Sequence, residues 1–388
     1  MPGRIAAHLT FSADKKELCC DISSGNDTYI TSLNIQIGEF EHGILEGYYH
    51  RGTAQRIDNN KKTEENVPAQ TQIRTVKIVD TTLEEVEAVV NPAAVAIYDY
   101  SILDILALVG FEKTGIKTLV VPSRSTLPDD LSYYKSDIPG TKIVSGGSLF
   151  FIDWDVLDLA EPQLVVLGGR SFGMNASGQR LNTEDAAKFR SDTYSRYSNT
   201  RFIKLSVDAS KSTLDEDILR NVTALGSIFP ALKDDLNARY REIKAGIDTI
   251  KAKAQKSGAK ALFVMTPDPA SVSVFLPGSR FGMLYNEFGF IPADPAGSVD
   301  FSAHGAATAA EYILAINPDV IFLLDRAATV GTEAGEVNFK NDPSVRQTTA
   351  FKNGRIYTLS GDSWYTMTGG IQAARQMIQD LMQFIDTI

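Results

Sequence analysis

The chain has 388 residues, 43% of them hydrophobic and 22% charged, a globular balance long enough to fill two lobes with separate cores. Its formal charge of -10 and isoelectric point near 5.0 exclude a nucleic-acid partner, because no basic stripe offsets the deficit, so any bound anion needs a local basic pocket. The two cysteines, Cys19 and Cys20, are neighbours, which makes a strained disulfide and no spaced metal-ligand pattern. No apolar run reaches the ~18 residues of a membrane-spanning helix.

In chain order, residues 5–11 are only briefly apolar, are broken by His8 and lead to Lys15 and Lys16, so no signal peptide is visible. Residues 1–56 carry strand-like stretches such as 29–37 but no sustained periodicity, and the segment is left unassigned. Residues 57–73, with Asn59, Asn60, Lys61, Lys62, Glu64, Glu65 and Pro68, read as a solvated polar linker. Beyond it, β-branched runs at 93–98, 118–121, 164–167, 202–207, 261–265, 320–324 and 355–359 alternate with helical patterns, the signature of open, mostly parallel α/β sheets.

Between two such sets lies 233–256, where Leu236, Tyr240, Ile243, Ile247 and Ile250 recur at helical spacing amid charges. A helix of that length spans roughly 35 to 40 Å and can brace two lobes. The expected fold is α/β, with lobes at 74–230 and 258–388 joined by one bridging helix at 231–257. A weak repeat supports this division. Glu161-Pro162 and Asn317-Pro318 each precede a buried strand, and each strand leads to an arginine eight residues past the proline, Arg170 and Arg326. In open parallel sheets ligands sit beyond the carboxyl ends of the strands, where both arginines fall.

Either arginine alone reads equally as a surface residue, but the matched placement favours a ligand role. Arg280, between Ser279 and Phe281-Gly282, is either a turn arginine or a third cation at the cleft. At an effective dielectric of about 20 and about 5 Å, each unit charge pair gains roughly 3 kcal/mol before desolvation, enough to select a multiply charged anion. His304, ahead of a helix expected at 306–316, reads first as a cap or packed surface group, with metal ligation as the alternative. Tyr365 reads equally as a core or interface aromatic. Catalysis finds no nucleophile elbow, phosphate loop, His-Glu-x-x-His or Cys/His cluster.

Taken together, Ser279-Arg280-Phe281-Gly282, His304-Gly305, the stretch from Glu311 to Asp325-Arg326, and Trp364-Tyr365 before Gly369-Gly370 resemble the ferric-siderophore-binding proteins of ABC importers, in particular the catecholate-type branch. The resemblance covers residues 74–388 and implies two α/β lobes joined by a long helix. It implies no enzyme activity and no resident cofactor, and a monomer that passes its cargo to a membrane permease. Arg170, Arg280 and Arg326 match the arginines that neutralise the ferric complex. His304 and Tyr365 match residues that complete the iron shell of a tetradentate siderophore, chemistry that suits a hard ferric ion. Glu287 matches an acidic residue that docks on the permease, though it also reads as a plain helix-face carboxylate. Family members are exported, commonly as lipoproteins, so the resemblance implies an extracytoplasmic location. The alternatives are another cargo on the same fold, such as haem, cobalamin or another metal complex, and a metal-dependent two-lobed enzyme, which would need acid-base or redox groups beyond one histidine.

Overall fold

The structure is a computed structural model that describes residues 6–11, 18–24, 27–33, 55–56, 74–295, 297, 306–308 and 310–387. The chain forms two compact units, Met1–Gln72 and Ile73–Ile388. In the first, β1 (Ala6–Phe11), β2 (Leu18–Ser24), β3 (Asp27–Leu33) and β4 (Gln55–Arg56) pair antiparallel in sequence order. The segment left unassigned from the sequence thus contains a meander, and the strand-like stretch at 29–37 overlaps its third strand. The polar stretch 57–73 lies outside the described residues.

The second unit opens with the hairpin β5 (Thr75–Val79) and β6 (Glu85–Val89). There follow β7 (Ala94–Tyr98), α1 (Tyr100–Val109), β8 (Thr118–Val121), β9 (Lys142–Ser145), α2 (Trp154–Ala160), β10 (Leu164–Leu167), α3 (Thr183–Arg196), β11 (Arg201–Lys204) and α4 (Leu214–Ile228). The strands make an all-parallel sheet of order β11-β10-β7-β8-β9. All four residues of β10 are buried, because helices cover both faces, and the strand reads as a continuous apolar run for that reason.

Helix α5 (Lys233–Ser257) comes next; its 25 residues span ~37 Å. It buries Leu236, Ile243, Ile247, Ile250 and Ala254 and leaves its charged face to water, and Gly258 ends it in the left-handed conformation at φ 64°.

The second sheet is built from β12 (Lys260–Asp268), β13 (Ser271–Phe275), β14 (Ile291–Pro292), β15 (Ala306–Thr308), β16 (Val320–Asp325) and β17 (Ile356–Thr358). Its order is β15-β13-β12-β16-β17, with β14 also on β12; β12, β14, β16 and β17 run parallel, and β13 and β15 antiparallel to their neighbours. The helices of this half are α6 (Met283–Asn286), α7 (Ala310–Ile316), α8 (Arg326–Thr329), α9 (Glu336–Asn341), α10 (Thr349–Lys352), α11 (Gly361–Tyr365) and α12 (Ile371–Ile385). The helix expected at 306–316 is therefore shorter. Residues 306–308 pair with Val272, Ser273 and Val274 as a strand, since the open edge of β13 offers backbone partners that outweigh local helical preference.

One apolar core runs from Ile97 and Val166 of the first sheet past Ile243 and Ile250 of α5 to Phe263 and Phe322 of the second. The proline repeat also has a structural cause. Glu161 and Asn317 both adopt the left-handed conformation, at φ 44° and 43°, and close the preceding helices through bonds to Leu157 and Ile313. Each proline then launches a buried strand, β10 or β16, toward the same end of its sheet.

Two stability outcomes follow. Replacing the fully buried Ile250 by alanine should lower unfolding free energy by about 2 to 4 kcal/mol in urea titrations, whereas Lys251→Ala should change it by less than about 0.5 kcal/mol. Asp380 on α12 accepts from Ser360 N at 2.8 Å, Ser360 Oγ at 3.0 Å and Trp364 Nε1 at 2.9 Å. Asp380→Ala strands these donors in the core and should cost about 2 to 4 kcal/mol, with Trp364 fluorescence shifting to the red.

Candidate binding site

Three of the arginines singled out from the sequence arrive at one tyrosine from three separate turns. Arg170 follows β10 through Gly168-Gly169, and the turn lies so close to β7 that a Cβ on Gly168 would stand 2.6 Å from the Tyr98 carbonyl oxygen. Arg326 opens α8 directly after β16. Its strand-ending neighbour Asp325 accepts from Ala328 N at 3.1 Å, Gly335 N at 2.9 Å and Glu336 N at 2.8 Å, which fixes the turn that aims the guanidinium. Arg280 stands in the turn after β13, where Ser279 N and Oγ both bond the Leu276 carbonyl.

Tyr365 ends α11, and the Asp380 bonds to Ser360 and Trp364 hold that helix from behind. Arg170 Nη2 donates to the Tyr365 carbonyl at 2.8 Å, and Arg280 Nη2 donates to the same oxygen at 2.6 Å. Arg326 Nε donates to the Tyr365 hydroxyl at 2.8 Å, and its Nη1 reaches the Pro267 carbonyl at 3.3 Å. The three guanidinium carbons lie 5.2, 4.7 and 5.4 Å from the centre of the Tyr365 ring, within cation–π range. Among the described residues, their hydrogen-bond partners are carbonyls and a phenol, never a carboxylate. All four side chains are half-buried, so the cluster keeps a face toward water.

The electrostatics follow from this crowding. Burial, together with the neighbouring Arg170 and Arg326 charges, pushes the Arg280 guanidinium down to about 10, although its bond to Tyr365 favours the charged form. Burial would push the Tyr365 phenol up, but the Arg326 hydrogen bond and the charges of Arg326, Arg280 and Arg170 outweigh it and hold the phenol below its ordinary value. Beneath Arg170 lies Asp99, the N-cap of α1; burial raises its carboxyl, against the Ser101 hydrogen bonds and the Arg170 charge. What the arrangement can do chemically is accept an anion of several charges and offer it one acidified phenol.

The structure thus brings together Arg170, Arg280, Arg326 and Tyr365. His304 lies outside the described residues. Glu287 is half-buried and occupied elsewhere: its Oε2 accepts from Leu214 N at 2.9 Å, at the start of α4. Sequence reasoning missed Asp99, Asp325 and Asp380. The first two could have been found as caps, since each is an aspartate just ahead of a helix; the role of Asp380 carries no local signal, because the α11 groups it holds lie 16 and 20 residues away.

The chain is similar to known proteins. The chain is 28% identical over 293 residues to the petrobactin-binding protein YclQ of Bacillus subtilis, covering 75% of this chain and 82% of that one. It is 32% identical over 168 residues to the ferric-anguibactin-binding protein FatB of Vibrio anguillarum, covering 43% of this chain and 51% of the relative. The crystal structure of the periplasmic catecholate-siderophore binding protein VctP from Vibrio cholerae superposes with a TM-score of 0.65 at 27% identity, covering 80% of this chain and 100% of that one. These relatives are binding proteins rather than enzymes, and what they bind, petrobactin, ferric anguibactin and a catecholate siderophore, is a ligand rather than a resident cofactor. Residues 95–362, more than half of the chain, match the family model for periplasmic binding proteins, and the chain belongs to that family.

Proposed function

We propose that this protein captures an anionic ferric siderophore of the catecholate class at the Arg170, Arg280, Arg326 cluster, outside the cytoplasm, and passes it to the permease of an ABC importer. The observation that carries the reading is the convergence of three guanidiniums, from turns of both sheets, on a single tyrosine with no carboxylate among their hydrogen-bond partners in the described residues. Clustered positive charge at a half-buried site favours a multiply charged guest, and each charge-assisted bond to it is worth about 1.5 to 3 kcal/mol. A cargo without several negative charges, such as a corrin, would leave the guanidiniums without anionic partners.

Tyr365 takes a second role in the reading. A phenol held below its ordinary pKa by three arginines is a hard oxygen donor, suited to ferric iron when a tetradentate siderophore leaves positions open. His304 is the matched partner for the other position, by family resemblance. Delivery to a permease and an extracytoplasmic location are supported by the same family membership.

The test is quenching of intrinsic fluorescence by a panel of ferric catecholates, with the iron-free siderophores and haem as controls. Arg326→Ala should weaken every anionic ferric complex by about 10-fold or more, a loss equivalent to one charge-assisted hydrogen bond. Binding of haem but of no ferric catecholate would overturn the reading. Tyr365→Phe should perturb the phenolate-to-iron charge-transfer band for tetradentate ligands only; an unchanged band would remove this tyrosine from the iron shell.

A further inference from the structure

Two arms of the second half carry the residues that meet Arg170. One runs from the Arg280 turn through α6 to Glu287, and the other from α11, with Tyr365, through Gly369-Gly370 into α12. Each arm is fastened to the first half by one carboxyl that meets a helix amide. Glu287 Oε2 accepts from the N–H of Leu214, the first residue of α4, at 2.9 Å. Asp104, fully buried on α1, accepts through Oδ2 from the N–H of Gln372, the second residue of α12, at 2.8 Å. The directions are opposite. In the first tie the arm supplies the acid and the first half the helix start; in the second, the reverse holds. Both amides belong to the opening turn of a helix, where no intrahelical acceptor exists, so each tie satisfies a donor that the fold otherwise strands.

The second joint also allows little slack. A Cβ on Gly370 would stand 2.3 Å from Asp104 Oδ2, so only glycine lets the second arm come this close. Asp104 Oδ1, meanwhile, is buried with no hydrogen-bond partner. A buried carboxyl with one satisfied oxygen and one orphaned oxygen is poorly placed to hold charge.

The geometry points to Asp104 and Glu287 as paired positioning residues that fasten the Tyr365 and Arg280 arms to the half bearing Arg170, through joints that hold best when both carboxyls carry a proton. A neutral carboxyl still accepts the amide bond through its carbonyl oxygen, whereas an ionised one keeps the bond at the expense of a buried charge. The groups facing each acid reinforce this. Around Glu287 stand Asp215, Glu216 and Asp217 of the first turn of α4; Arg220 answers Asp217, and Glu216 is held in a capping box with Thr213. Facing Asp104 are Asp130 and the Tyr134 hydroxyl, the latter donating to the Leu103 carbonyl at 2.9 Å, while Arg375 of α12 turns away to Glu242.

Burial first, and then these acidic neighbours, against the opposing pull of the helix amides, push both carboxyls up to about 7. The sign follows by linkage: a carboxyl raised when docked holds a proton that the undocked form releases near pH ~4, so docking is favoured below about 7 and weakens as pH rises through about 7. The ties do not depend on the cargo, but their effect on affinity rests on the siderophore reading above.

Amide hydrogen exchange of the ligand-free protein, corrected for intrinsic rates, tests the ties directly. Between about pH 6 and about pH 8, segments 278–287 and 361–372 should lose protection about tenfold in the native chain and hold it in the double variant Asp104→Asn, Glu287→Gln, whose neutral amides keep an acceptor. Parallel profiles for the two proteins would overturn the proposal, and so would loss of protection spread evenly over both sheets. In the second arm, iron(III) 2,3-dihydroxybenzoate is titrated into both proteins at each pH, so that the probe's own protonation cancels in the ratio of affinities. That ratio should move against the native chain by a similar factor as pH rises, and a flat ratio would overturn the positioning role. If neither protein binds the probe while the exchange profiles differ as expected, the siderophore reading fails and the ties stand.

Discussion

Three like charges do not gather at one point without something to hold them, and here a single residue does. The carbonyl of Tyr365 accepts from Arg170 and Arg280, its hydroxyl accepts from Arg326, and its ring presents a negative face to all three guanidinium carbons. At separations of this order each guanidinium pair repels by roughly 2 to 3 kcal/mol at an effective dielectric of about 20, so the cluster persists because the turns that deliver the arginines are fixed independently. The chain's overall charge of -10 does little to relieve it, since exposed acids more than about 8 to 10 Å away are screened.

The fixing is a matter of strand ends. Both sheets send a buried strand toward an arginine, and in each the strand is launched by a left-handed residue and a proline and terminated by an arginine-bearing turn. Arg280 reaches the cluster differently, from a turn after the antiparallel strand β13, and Tyr365 arrives on a short helix anchored from behind by Asp380. Four residues from distant positions are thereby held by rigid elements instead of long loops, the condition for a preorganised site. Helix α5 and the continuous core beside it keep the two sheets in one packed body.

Much of this was legible in the chain because its cause is local. The seven strand candidates from 93–98 to 355–359 all overlap strands, five of them buried along most of their length, and 233–256 showed helical periodicity, so the long helix α5 could be placed almost to the residue. The strands that escaped notice have weak patterns. In β9 a single residue, Ile143, is buried, and in β13 Ser271 and Ser273 interrupt the apolar run, so their pairing depends on neighbours that sequence does not name. The same limit hid Ala306–Thr308, a short strand read as helix. At the site, the matched prolines exposed Arg170 and Arg326, whereas Arg280 and Tyr365 were ambiguous until family resemblance singled them out. That all three arginines meet on the tyrosine is a tertiary fact with no trace in local spacing. The ties made by Asp104 and Glu287 left no signal either, since their amide partners lie 268 and 73 residues away, and the sequence marked Glu287 only by its resemblance to a docking acid.

The choice of a backbone carbonyl as the shared acceptor bears on how an anion would enter. A carbonyl oxygen is a neutral acceptor, so two of the three guanidiniums are hydrogen-bonded but not charge-compensated, which is a weaker arrangement than bonding to an anionic oxygen. On the siderophore reading, an arriving complex replaces carbonyl contacts with charged ones at side chains already in position, so little rotamer entropy is lost on binding. A carboxylate in the place of that carbonyl would compensate the guanidiniums better and leave less attraction for an anion. The tyrosine contributes at both ends. Its main chain keeps the guanidiniums aligned without neutralising them, and its phenol, acidified by the same three charges, is the group that would gain most from meeting a hard cation. On the siderophore reading, attraction for the anionic shell and affinity for the metal inside it would therefore arise from one cluster.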